Sequence, residues 1–309
     1  MPIKIPNALP AAQTLEKENI FVMTEHRAQM QDIRPLKIVI LNLMPTKIDT
    51  ETQLLRLLSN SPLQVEIDLL QTASYTPKNT PMEHLLNFYK TFDDIKKNRY
   101  DGMIITGAPI EHLAFEDVDY WPELCEIMTW SRKNIYSTLH ICWGAQAALY
   151  YHYKVKKYPL SQKLTGVFRH RPLDTNHPLL KGFDECFYMP HSRFTEIRTE
   201  DVMAVDSLSI LAVSEAAEPV ILSNATGRRV FITGHCEYDR DTLKGEYLRD
   251  VQRGISPIPF PQNYFPQNDP EGIPLFTWSS HANLLFSNWL NYFVYQQTPF
   301  DLSSLNLIP

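Results

Sequence analysis

A chain of 309 residues, 44% of them hydrophobic, can bury a sizeable core and is long enough for one large domain or two small ones. Its formal net charge of −6 argues against nucleic acid or an anionic membrane surface as the main partner. No stretch approaches the ~20 apolar residues of a membrane helix, and the start lacks the apolar core of a signal peptide. Four scattered cysteines, none in a CxxC pair, exclude a disulfide framework and a closed zinc site, so the sequence predicts a cytoplasmic protein with no metal.

Residues 1–35 are polar and proline-bearing, and are expected to form an N-terminal arm: extended chain with a short helix around residues 15–30. "PLKIVILNL" (35–43) is a short apolar run rich in β-branched residues, as in a buried parallel strand. "DTETQLLRLLSN" (49–60) reads as a helix that Asp49 or Thr50 can cap, with leucines at 54, 55, 57 and 58. A strand follows at 63–70, a helix in "MEHLLNFYKTF", a strand in "YDGMIITGAP" (100–109), and a helix in "VDYWPELCEIMTWSRK". Pro122 stands near the start of that helix, where proline is tolerated. Alternating strand and helix predict a doubly wound, mostly parallel α/β sheet with its site outside the carboxyl ends of the strands.

The next strand, "NIYSTLHIC", stops at Cys142 and passes straight into "WGAQAAL". Cysteine can be a small hydrophobe at a strand end. It can equally be a nucleophile on a tight strand-to-helix turn, with its thiolate near the N–H groups of a helix N-terminus. Cys125 and Cys186 are expected to be core residues on a helix and a strand. From 163 to 233 short strands and turns replace the alternation, either extending the sheet or covering it. "DRDTLKGEYLRDVQRG" (239–254) is a helix, the proline-rich loop 256–274 is too apolar to be an idle linker, and "SSHANLLFSNWLNYFVYQQ" is a final helix. No linker divides the chain, so residues 36–309 are expected to form a single α/β domain.

"FITGHCEYD" sets His235 and Glu237 two residues apart after a β-rich run. In extended chain such residues share a face, which puts an imidazole beside a carboxylate that can fix its tautomer. With Cys142 arriving from elsewhere, this is the arrangement nucleophilic catalysis needs. A lone histidine at a strand end is more often a packed, hydrogen-bonded residue, and Cys236, aimed at the opposite face, reads as packing.

"HICWGAQAAL" resembles the C-x-G-x-Q elbow of class I glutamine amidotransferases, and "GHCEYD" resembles their His-x-Glu element. Longer stretches are similar to one branch of that superfamily, the homoserine O-acyltransferases of methionine biosynthesis. They are "LNLMPTKIDTETQLLRLLSN", "YDGMIITGAPIEHL", "PHSRFTE", "NYFPQNDP" and "WSSHANLLFSNWLNYFVYQQTPFDL", and together they cover nearly the whole chain. The resemblance implies a flavodoxin-like fold of the class I glutamine amidotransferase type and a ping-pong acyl transfer from acyl-CoA to the side-chain hydroxyl of L-homoserine. Cys142 would carry the acyl group, His235 would act as base and Glu237 would orient it. No resident cofactor is implied, acyl-CoA being a co-substrate, and the assembly would be a homodimer.

The same resemblance maps Lys163, Ser192 and Arg249 onto substrate binding; on their own they read as a solvated lysine, a turn serine and a surface arginine. A guanidinium fork suits the α-carboxylate of homoserine. Glu246, three residues earlier on that helix face, could meet the α-amino group, or simply form a surface ion pair worth about 0–1 kcal/mol. Glu111 follows "TGAPI" at the strand end expected beside the acyl pocket. A succinyl carboxylate within ~4 Å of it would cost roughly 4 kcal/mol at an effective dielectric near 20, nearly a thousandfold. In the family, glutamate here goes with acetyl donors and glycine with succinyl donors, so acetyl-CoA is the expected donor. Two other readings of the chain stay open: an amidotransferase-type hydrolase using the same Cys–His–Glu set, and a non-catalytic scaffold of the same fold.

Overall fold

The computed structural model describes residues 3–6, 9–17, 22–24, 34–75, 77, 79–217, 219–254 and 259–305. In chain order the main elements are β1 (Ile3–Ile5), α1 (Ala11–Lys17), β2 (Val22–Thr24), β3 (Leu36–Leu41), α2 (Lys47–Ser59), β4 (Val65–Leu70), α3 (Met82–Phe88), β5 (Tyr89–Lys90), α4 (Phe92–Ile95) and β6 (Tyr100–Ile105). Then come α5 (Trp121–Asn134), β7 (Ile135–Ile141), α6 (Trp143–Tyr153), β8 (Tyr158–Pro172), β9 (Phe187–Glu196), α7 (Thr199–Met203), β10 (Leu208–Val213), β11 (Ile221–Asn224) and β12 (Arg229–Ile232). Helices α8 (Thr242–Gln252) and α9 (Ser279–Asn288) close the chain, α9 running on into a π-helical segment, Trp289–Tyr295.

The sheet order is β2-β1-β4-β3-β6-β7-β12-β11-β10-β8-β9, with β5 on β4. Pairs from β2 through to β7 and β12 are parallel; those from β12 outward to β9 are antiparallel. The alternating half therefore builds the expected parallel sheet. The strands after it extend the sheet: β12, β11 and β10 follow β7, and β8, joined to β10 through its last residues, pairs with β9 at the far edge.

Central strands are buried on both faces, and their two-residue period divides the core. Ile38, Ile40, Ile104 and Leu139 pack on one side with α1, α2, α9 and the π-helical segment. Val39, Leu41, Met103 and Ile105 pack on the other with α5 and α6. Every residue from Trp143 to Leu149 is buried, which is why α6 is apolar and small on all sides.

The N-terminal reading needs correction. The helix lies at residues 11–17, not 15–30, and Val22–Thr24 is a strand. Both arm strands join the sheet edge in parallel, β1 on β4 and β2 on β1. Residues 18–21 and 25–30 of the expected helix lie outside the described residues. "MEHLLNFYKTF" is interrupted too: helix α3 ends at Phe88, and Tyr89–Lys90 pairs with β4. Cys186 is half-buried just ahead of β9, not strand core, and Cys125 is half-buried on α5. Among the described residues no helix is long and apolar enough to cross a membrane, and no cluster of histidine, cysteine and acidic side chains could hold a metal ion.

Candidate active site

Strand register sets the site. Leu41, Leu70, Ile105, His140 and Phe231 stand level near the carboxyl edge, and one residue further on Ile141 lies beside Ile232. Cys142 follows Ile141 and donates its N–H to Ile232 O at 2.7 Å, so the nucleophile candidate and the turn after β12 start side by side. Cys142 has φ 49°, a left-handed conformation that costs a non-glycine residue energy and clusters at functional turns. It caps α6, and no side chain satisfies the first N–H groups of that helix at the cap. Gly144 makes the turn possible: a Cβ there would lie 2.5 Å from Thr106 O and 2.9 Å from Ile105 O.

His235 is buried, with Nδ1 2.7 Å from Glu237 Oε1. The pair does not meet along an extended strand, as the spacing suggests, but across a turn in which Tyr238 N–H reaches His235 O. Burial opposes protonation of His235, but the charges of Cys142 and Glu237 and hydrogen bonds to both outweigh it and hold the imidazole well above its ordinary range. That favours the imidazolium form of His235 beside Cys142. Cys236, between them, is buried in the core away from the cleft.

Around them lies a cleft of about 200 Å³. Cys142, His235, Glu111, Lys163, Ser192, Glu246 and Arg249 all line it; Glu237 stands behind His235 and does not. Glu246 accepts from Ser192 Oγ and from Tyr238 Oη (2.9 Å), and lies 4.0 Å from Lys163 Nζ. Lys163 is buried, not solvated, and donates to Asp250 Oδ2 at 2.8 Å, while Arg249 pairs with Asp250 Oδ1 at 3.0 Å. Burial would raise the Asp250 carboxyl, but these two cations hold it below its ordinary value. At Glu111 burial prevails and raises the carboxyl, against its own backbone N–H and the charges of His235 and Lys163.

Sequence reasoning missed Tyr238 and Asp250. Tyr238 stacks on His235 with ring centroids 4.1 Å apart and ties it to Glu246. Both residues adjoin nominated ones, in "CEYD" and "LRDV", and that adjacency was the available signal. The proline-rich loop is also explained in part, although residues 255–258 lie outside the described residues. Gln262 exchanges backbone hydrogen bonds with Thr165 and Val167 of β8 (3.0 and 2.8 Å), across Gly166, where φ is 139° and a Cβ would meet Gln262 O at 2.4 Å. Tyr264 and Phe265 then pack with Trp278 against Tyr238 and Leu243. The loop clamps the base of α8, the helix that carries Glu246 and Arg249.

A family model described as homoserine O-succinyltransferase matches residues 2–300. The chain is 61% identical over 305 residues to a homoserine O-acetyltransferase of Acetivibrio thermocellus, covering 99% of this chain and 100% of that protein. It is 58% identical to a homoserine O-acetyltransferase of Methanomassiliicoccus intestinalis, covering 98% of each. Among solved structures, a glutamine amidotransferase from Thermotoga maritima superposes with a TM-score of 0.55 at 12% identity, covering 85% of this chain and 100% of that one. That likeness speaks for the class I glutamine amidotransferase fold alone.

Proposed function

The chain belongs to the homoserine O-succinyltransferase family, and from that premise we propose that it transfers an acetyl group from acetyl-CoA to the side-chain hydroxyl of L-homoserine, a step of methionine biosynthesis. The observation that carries the reading is His235, buried between the Glu237 carboxylate and Cys142 at the floor of a cleft of small-substrate size.

In the first half-reaction the Cys142 thiolate attacks the thioester carbonyl. The C–S bond to the coenzyme breaks, and the coenzyme thiolate takes the proton from His235. The tetrahedral oxyanion can be met by N–H groups in the first turn of α6 and by the backbone around Gly107–Ala108. In the second half, His235 accepts the homoserine hydroxyl proton as that oxygen attacks the acetyl carbon, and Cys142 leaves as thiolate. Glu237 holds the imidazole in place and supports its charge. Arg249 takes the α-carboxylate of homoserine, and Glu246, fixed by Ser192 and Tyr238, takes the α-ammonium, with Lys163 completing the substrate site.

The family description names succinyl transfer and the relatives' names acetyl transfer, so the donor is argued from Glu111: a succinyl carboxylate would either face a second carboxylate or force it to take a proton, and both cost free energy. Small-molecule substrates suit a chain of net charge −6, and four free thiols suit the reducing cytoplasm; a homodimer follows the family resemblance. Purified protein should convert L-homoserine and acetyl-CoA to O-acetylhomoserine, and should form O-succinylhomoserine from succinyl-CoA at least tenfold less efficiently. Product from succinyl-CoA alone would reverse the donor assignment, and glutamine-dependent ammonia release without any acyl transfer would replace the reading.

A further inference from the structure

The cleft that holds Cys142 has room for an acetyl group and an amino acid but lies below the ~300–1,000 Å³ of pockets that enclose larger ligands. A second groove, of about 360 Å³, lies next to it and shares Met44, Ala108, Pro109 and Arg253 with it. Its walls are the segments that follow three neighbouring strands: Leu43–Pro45 after β3, Gln71 and Thr72 after β4, and Ala108–Ile110 after β6. The chain leaves β3 for β4 on one side and places β6 on the other, so the groove sits at a topological switch point, the usual ligand crevice of an open α/β sheet.

Its chemistry is mixed. Leu43, Ile110, Val118 and Tyr120 give apolar surface; Gln71, Thr72 and Asn79 give amide and hydroxyl groups. Lys47 and Arg253 are matched by Asp117 and Asp119, so the lining has no excess positive charge. A nucleotide diphosphate is favoured by such an excess. An uncharged chain carrying amides and methyl groups needs none.

We propose that this groove binds the pantetheine arm of the acyl donor, running from the thioester at Cys142 past Met44 and Pro109 and leaving the nucleotide end outside it. The assignment rests on the acyltransferase reading above, and the test separates the two.

Three donors divide the ligand: acetyl-CoA, S-acetylpantetheine, which keeps the arm and lacks the nucleotide, and S-acetyl-N-acetylcysteamine, which keeps only the end nearest the thioester. Gln71→Trp fills the groove from a position that does not line the catalytic cleft. It should raise KM at least tenfold for acetyl-CoA and S-acetylpantetheine, while kcat/KM for the short donor and KM for homoserine change less than twofold. Tyr75→Ala, at the exposed rim, should give the same pattern at about threefold and guards against misfolding of the first variant. Equal effects on all three donors in a variant that melts like wild type, or no effect on any, would overturn the placement. An effect on acetyl-CoA alone would assign the groove to the nucleotide. Wild-type protein that acetylates homoserine from none of the three would instead overturn the acyltransferase reading.

Discussion

At Glu111 the carboxyl is held in a buried wall of the cleft, raised by desolvation yet drawn on by the charges of His235 and Lys163. Either protonation state disfavours a succinyl group: the ionised form repels it, and the neutral form fills its space. Two substitutions separate these causes. Glu111→Gly should raise kcat/KM for succinyl-CoA by about tenfold or more and lower it for acetyl-CoA. Glu111→Gln should recover most of the succinyl gain if charge dominates, and almost none if volume does. The measurement is the ratio of the two specificity constants across wild type and both variants, and a ratio unmoved by Glu111→Gly would reduce Glu111 to a structural residue. Glu111 could be nominated from sequence because it directly follows "TGAPI", the segment that leaves a strand bound to end at the site. Asp250 offered only its place beside Arg249: its value lies in meeting Lys163, 87 residues away in sequence, and no local pattern encodes that meeting.

Among the elements, α6 is the most exacting. It starts at a strained cysteine and lies so close to the end of β6 that Gly144 has backbone oxygen where a side chain would stand. Gly144→Ala must push the helix off the sheet. Overpacking of this kind costs roughly 1–3 kcal/mol, and moving the nucleophile by about 1 Å can cost about a hundredfold in rate. The expected outcome is a lower denaturation midpoint together with a fall in kcat of at least tenfold, read from denaturant unfolding and steady-state kinetics. Unchanged kcat would mean that the elbow tolerates a shift of α6. The strand, turn and helix here were legible because an apolar run, one cysteine and a run of small residues change character within a few positions. The turn that joins His235 to Glu237 was not: a two-residue spacing cannot distinguish extended chain from a tight turn that brings the same two side chains together.

For the whole molecule, continuous apolar strands alternating with amphipathic helices announced the parallel sheet, and the loss of that alternation after residue 163 announced a different second half. The three-residue strands β1 and β2 left no comparable trace, since so short a segment has no period and becomes a strand only through its neighbours. The function of the proline-rich loop was equally hidden, because its partner, the backbone of β8 at Gly166, lies about a hundred residues upstream. What the assembled sheet does is bring the segments after β3, β6, β7 and β12 to one edge, where a thiol, an imidazole and a carboxylate meet. The central claim is that this edge forms an acetyl-enzyme, and the most direct measurement is the intact mass of the protein after brief exposure to acetyl-CoA without homoserine. The account predicts a gain of one acetyl group, mapped by peptide analysis to Cys142 and discharged on adding homoserine; no gain, or an acetyl group on Cys125, Cys186 or Cys236 instead, would contradict it.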